Sequence, residues 1–177
     1  RCLRLNFGGG LVRVDPAARA WLGEFAVATA ASGAGIFPRY RLLSSLLAAL
    51  TNRKADLEKS LEASSPLTRF PDADSDQKER WETELAAAVE AEYRRCRSHY
   101  LSAIQWWLRD IWFSTLPDGG GSLQFPDLEA STREVARRLN PLRAAENLEA
   151  WERTQRQLHT NVQEALAFEV GLLKLQL

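Results

Sequence analysis

Apolar residues recur at steps of three and four over most of the chain, the spacing of one face of an α-helix rather than the alternation of a strand. Asp15-Pro16 marks the first helix start, an N-cap followed by proline at the first helical position. The pattern runs to about Ala31 with Trp21, Leu22, Phe25 and Val27 inward, and Ser32 to Gly35 breaks it. Pro38 opens a second helix in which Leu42, Leu43, Leu46, Leu47 and Leu50 form an apolar stripe. The stripe then thins: NRKADLEKSLEASS keeps only Leu57 and Leu61, as a solvent-exposed extension does. Segment 64–76 (SSPLTRFPDADSD) carries Pro66, Pro71 and three aspartates and reads as a loop.

Ser75 or Asp76 then caps the longest element. Trp81, Leu85, Val89, Tyr93, Cys96, Tyr100, Ile104, Trp107 and Ile111 step without interruption. A helix is expected from about 77 to 115, roughly 58 Å at 1.5 Å per residue. A small body does not cover that length. Its first half is therefore expected to pair with 51–63 as an antiparallel hairpin projecting from the body. Its second half ends in the aromatic run QWWLRDIWFSTL, residues 105–116.

Three shorter helices follow. Asp127, after Pro126, opens one with Leu128, Val135 and Leu139 inward. Asn140-Pro141 caps and begins another, with Leu142, Leu148, Trp151 and Leu158 inward. Thr160 or Asn161 separates it from the closing helix, where Val162, Leu166, Phe168, Leu172, Leu173 and Leu175 pack. Only 11–14 suggests a short strand or an extended lead-in, and no internal repeat is visible. The pattern therefore predicts an all-α fold: a compact bundle of about five to six helices with a long projecting antiparallel hairpin. Residues 1–15 read as a lead-in from a preceding part, and 16–177 as a single helical domain.

Composition narrows the function classes. A length of 177 residues suits one domain, with or without an insertion. Lys and Arg number 23 and Asp and Glu 23, so the basic surplus usual in nucleic-acid binders is missing. No apolar run approaches the roughly 18 residues that span a bilayer, and no signal-peptide pattern opens the chain. A cytoplasmic protein with no membrane contact is the expectation. Cys2 and Cys96 form no CxxC pair, so two free thiols are expected rather than a zinc site. The chain starts at Arg1, which suggests a piece cut from a longer protein; the complete absence of Met is not explained by that.

Chemistry is sparse. Gly8–Gly10 and Gly119–Gly121 lack the Lys-Ser/Thr of a phosphate loop, so no ATP site is expected. His99 reads as a surface residue, and His159 sits near a helix C-terminus, where it suits the dipole. No nucleophile elbow occurs, and Glu82/Glu84 and Glu90/Glu92 sit two apart, on different helix faces. No catalytic residue, cofactor or metal ligand is expected, and the chain does not read as an enzyme.

Three features remain to be weighed. Trp106, Trp107 and Trp112 could stack bases, yet Trp107 and Ile111 share a face with Ile104 and Leu108 and read as core. Trp106 is then the exposed member and a candidate interface anchor. Arg94, Arg95 and Arg97 could touch phosphates, but Glu90 and Glu92 nearby favour an ion-paired face; Arg137-Arg138 suits the negative pole of its own helix. Arg109-Asp110 is the most pointed polar feature, because a charge between Leu108 and Ile111 is costly without a partner. Glu169 is the candidate for Arg109, and a backbone amide or an Arg the candidate for Asp110.

WWLRDIWFSTL, a Gly-broken loop, FPDLEASTREVARRL and NPLRAAENLEAWERTQRQLHTNVQEALAFEVGLLKL together resemble the C-terminal domain of the bacterial DNA polymerase III clamp-loader subunit delta prime. That domain closes with a pattern matched here by Asn161, Val162, Leu166, Ala167, Glu169, Leu172 and Leu173. The resemblance covers about 100–177 and, more loosely, 16–50. It implies a collar domain that packs beside other clamp-loader subunits, gamma/tau and delta, in the complex that loads the sliding clamp in DNA replication. A gamma/tau or delta collar is the near alternative, and a helical nucleic-acid-binding domain the alternative of another class. The ATPase modules, the zinc-binding cysteines and the Ser-Arg-Cys trigger of the family are not found here. The hairpin at 51–98 is longer and more charged than the family's pattern and reads as an insertion. Partner-interface or buried polar candidates are Trp106, Arg109, Asp110, Asn161 and Glu169, and direct contact with nucleic acid is not expected.

Overall fold

The computed structural model describes residues 14–33, 35–70, 72–117 and 123–177. Expectations for most of the lead-in, for Cys2 and for the two triple-glycine loops lie outside that set. Seven α-helices follow one another: α1 (Pro16–Ala31), α2 (Ile36–Ser64), α3 (Pro66–Arg69), α4 (Ser75–Ser114), α5 (Glu129–Ala136), α6 (Pro141–Gln157) and α7 (Glu164–Lys174). A 3-10 turn at Pro126–Leu128 leads into α5. The described residues are all-helical, without a strand.

Local chemistry places the helix starts. Asp15 Oδ1 accepts from the backbone N–H of Ala17 and Ala18, both at 3.0 Å, with Pro16 at the first position. Asn140 accepts from the N–H of Arg143 at 2.8 Å ahead of Pro141, as its sequence position implies. Two starts differ from expectation. α4 is capped by Asp74, whose side chain accepts from Gln77 N at 2.8 Å, leaving Asp76 in the first turn where the dipole favours it. α2 begins at Ile36, and Pro38 sits in its first turn, where a missing N–H costs no helical hydrogen bond. The stretch expected as a plain loop contains α3, capped by Ser65 with Pro66 at its first position.

α4 is the axis. It packs against α1, α2, α5 and α6, while α7 closes over α2 and α6 and α5 lies on α1. Its inward residues Tyr100, Ile104, Trp107 and Ile111 join Leu22 and Phe25 of α1, Leu46 and Leu50 of α2, Trp151 of α6 and Phe168 of α7 in one core. No residue of 51–64 or 75–88 is fully buried. These stretches pair with each other: Lys54 reaches Glu90 at 3.9 Å, and Leu61, Pro66, Trp81 and Leu85 line a common crevice.

Four residues expected inward are exposed: Val27 (59%), Leu142 (68%), Val162 (41%) and Leu166 (50%). Val27 lies off the α1 face made by Ala18, Leu22, Phe25, Ala26 and Thr29. Leu142 is off the Ala144–Asn147–Trp151–Thr154 face of α6, and Leu166 is off the Ala167–Phe168–Gly171–Leu172 face of α7.

Gly171 sets the α6–α7 spacing. A Cβ there would stand 2.7 Å from Thr154 Cγ2 and 3.0 Å from its Cβ. Thr154 is stiff at χ1 and its hydroxyl is bonded to Ala150 O at 3.0 Å, so it yields little. Gly171→Ala is expected to lower unfolding free energy by about 1–3 kcal/mol, read by urea denaturation. Gly171→Ala paired with Thr154→Ala should recover most of that loss.

Candidate functional site

The polar residues singled out in the aromatic helix meet the chain at its most buried polar point. Asp110 projects from α4 with its side chain fully buried. Its Oδ1 accepts from Gln124 N at 3.0 Å and Oδ2 from Phe125 N at 2.9 Å. Arg109 Nη1 donates to Oδ1 at 3.2 Å. The carboxylate therefore pins the segment leading into the 3-10 turn, and Arg19 of α1 holds the same turn through Asp127. Burial pushes the Asp110 carboxyl above the ordinary carboxylate range, opposed by the two N–H groups and by Arg109. The backbone amide expected as Asp110's partner is thus found.

The partner expected for Arg109 is not. Glu169 lies elsewhere, accepting from the Tyr40 hydroxyl at 2.8 Å. Arg109 instead turns to its own neighbour Asp110 and stacks on aromatic faces, 4.3 Å from the Phe113 centroid and 5.4 Å from that of Trp106. The short step between adjacent residues and the aromatic stack remove the need for a distant carboxylate. Trp106 is half-buried, lining a cleft of about 250 Å3 with Gln105, Arg109, Leu148 and Glu152. Asn161 is exposed in the turn between α6 and α7, and the residue before α7 is Gln163, with no side-chain cap bond.

Other charges fall partly as expected. Arg94 pairs with Glu90 and Arg95 with Glu92 along the helix face. Arg97 does not join them: it donates to Glu164 Oε2 at 2.5 Å, and the Tyr93 hydroxyl donates to Glu164 Oε1. Arg138 was expected to serve its own helix; its guanidinium instead caps α1, donating to Ser32 O at 2.6 Å and Ala30 O at 2.5 Å. His99 is half-buried rather than a plain surface residue, with Nδ1 3.9 Å from Asp15 Oδ2. Cys96 is a free thiol. Among the described residues no cluster of three metal-capable side chains occurs, and no helix is long and apolar enough to cross a membrane.

Sequence reasoning missed a polar clamp. Asn147 donates to Gln176 O at 2.6 Å and accepts from Gln176 N at 2.8 Å, holding the tail that buries Leu175. A polar residue spaced between Ala144 and Trp151 was the available signal.

The third arrangement is a surface. Ile36, Phe37 and Tyr40 at the start of α2 are exposed, as are Leu166 and Val170 of α7. The Tyr40–Glu169 bond ties the two helices together, so these exposed apolar side chains stand on two packed elements. Comparison with protein families, with curated proteins and with solved structures finds no match for this chain.

Asp110→Asn keeps the shape but turns an amide N–H2 toward a backbone donor. It is expected to cost about 1–3 kcal/mol, seen as a lower Tm with helical circular dichroism unchanged at low temperature. The Tyr93 phenol is held above its ordinary value of 10.0, first by burial and then by the bond to Glu164. Above pH ~10 the unfolded tyrosine ionises while the folded one does not, so this contribution to stability falls as pH rises. Tyr93→Phe should lessen the alkaline loss, measured by urea denaturation from neutral pH upward.

Proposed function

We propose that this chain is a helical assembly domain of the collar type, delta prime-like, serving a cytoplasmic clamp loader of DNA replication. The observation that carries the reading is the exposed apolar side chains on the packed helices α2 and α7. Phe37 is 82% exposed and Ile36 54% on α2, and Leu166 50% on α7, and large apolar side chains left exposed on packed helices mark contact surfaces. The sequence resemblance suggests a role for these side chains, since the closing-helix pattern of Asn161, Val162, Leu166, Ala167 and Glu169 resembles that of a domain that packs beside its neighbours. Asp110 and Arg109 serve the reading differently: they hold the α4–α5 connection, a scaffold on which α6 and α7 are presented. The partners in this reading are the gamma/tau and delta subunits, through their own collars. ATP, DNA and the clamp are handled by modules outside this chain.

The nucleic-acid alternative loses its main residues, because Arg94, Arg95 and Arg97 each face a carboxylate. Light scattering of the chain alone and with the cognate clamp-loader ATPase subunit tests the proposal. A mixed complex is expected, weakened at least about tenfold by Phe37→Glu or Leu166→Glu, a charge at an interface core being worth more than ~1.4 kcal/mol. Both positions are exposed, so the chain itself should stay folded. A well-folded chain that forms no complex, or a complex indifferent to both substitutions, refutes the proposal.

A further inference from the structure

The hairpin has no part in the collar reading, and its tip carries a second surface with its own chemistry. α3 and the first turns of α4 enclose a cleft of about 540 Å3 lined by Arg69, Phe70, Asp72, Ala73, Gln77 and Trp81. Phe70 is 59% exposed, although its ring lies 6.2 Å from that of Trp81 at a tilt of 37°. Two aromatic rings thus line an open cleft at the end of a hairpin with no fully buried residue in 75–88. The tip is also acidic. Residues 55–88 hold nine acidic and four basic side chains, whereas the whole chain balances at 23 of each.

Those acids differ from the acids of the body. On α5 and α6, Glu129, Glu134, Glu146, Glu149 and Glu152 each pair with an Arg three or four residues away. Asp72, Asp76, Glu79, Glu82 and Glu84 stand at the tip, and none of them forms an ion pair among the described residues. Among the described residues the cleft lining carries one cation, Arg69, and one carboxylate, Asp72, while the adjoining turns of α4 set Asp76, Glu79, Glu82 and Glu84 against Lys78 and Arg80.

We propose that this cleft is a docking site for a Lys- or Arg-bearing segment of a partner protein. A cation seated over Trp81 or Phe70 gains the ring's attraction, and Asp72 on the lining with the net negative charge of the tip steers it there. The same field repels phosphates, so nucleic acid is the wrong occupant. The basis is the hairpin's own geometry and charge, independent of the collar reading.

The test uses the full chain and an Ala–Lys helical peptide, followed by calorimetry, with a Glu–Ala peptide and a single-stranded DNA oligonucleotide as controls. Saturable binding of the Ala–Lys peptide is expected, weakening with added salt. Phe70→Ala with Trp81→Ala should weaken it about tenfold or more. Asp72→Lys with Glu84→Lys, the first on the cleft lining and the second beside Trp81 in the adjoining crevice, both exposed, should do the same. If the Trp81 variant fails to fold by circular dichroism, Phe70→Ala and the charge reversals decide. No binding by the native chain, binding equal in every folded variant, or a preference for either control overturns the proposal. A dimer in light scattering that Phe70→Ala abolishes overturns it too, by assigning the cleft to a second copy.

Discussion

α4 is longer than the body it organises, and most other features answer to that mismatch. Its 40 residues extend about 60 Å. From Tyr100 to Ile111 it buries Tyr100, Leu101, Ala103, Ile104, Trp107, Leu108, Asp110 and Ile111, which is more than one face. A helix apolar around so much of its circumference must be enclosed. α1, α2, α5 and α6 do so, and each short helix can be amphipathic because α4 is not. The other end has only the distal part of α2 and the short α3 beside it, so residues of 75–88 remain at best half-buried.

Enclosing α4 also carries polar groups into the core, and Trp107, Trp151 and Asp110 find internal partners. Trp107 Nε1 donates to Thr132 Oγ1 at 3.0 Å and Trp151 Nε1 to Leu101 O at 3.0 Å. Asp110 occupies both oxygens with backbone donors of the incoming segment. Helix ends are treated alike: Arg138 caps α1, and Arg39 donates to Leu173 O at 2.7 Å near the end of α7. Cations at carbonyl ends satisfy groups that a helix leaves open and suit its dipole. The body is thus tied by contacts between elements distant in sequence, which is why a single residue such as Asp110 matters to parts it does not touch.

The helices themselves were legible because two local signals agreed, apolar period and cap chemistry. Asp15-Pro16 and Asn140-Pro141 placed two starts to the residue. Pro38 misled because a proline within a first turn is as comfortable as one that opens it. The inward assignments of Leu142, Val162 and Leu166 failed for a different reason. Leu is apolar wherever it sits, and only the packing of α6 on α7, set by Gly171 against Thr154, decides which face turns in. Asp110's need for a donor was legible as a burial argument. The choice of Arg109's partner was not, since an adjacent carboxylate and the Phe113 and Trp106 rings compete with any distant one. Asn147 and Glu164 were silent because their partners, Gln176, Tyr93 and Arg97, are brought near by the tertiary fold alone.

The surface left by this construction is uneven in a way that bears on how many partners it can hold. On α5 and α6 the acids are paired with arginines at i+3 or i+4, which neutralises them locally. Two groups of exposed side chains lie at the two ends of α2. Phe37 and Tyr40 stand in its first turns, and Tyr40 is bonded to Glu169 of α7, the helix that exposes Leu166 and Val170. Its last turn, at Ser64, leads into α3 and the acidic aromatic cleft. From Phe37 to Ser64 the helix rises roughly 40 Å at 1.5 Å per residue. That distance exceeds the Debye length of about 8 Å at physiological salt several times, so the carboxylates at one end exert little force on a partner at the other. The two surfaces also differ in kind, one apolar and one acidic with exposed rings. On the two proposals, a protein bound at one surface would leave the other open, with α2 as the spacer between them.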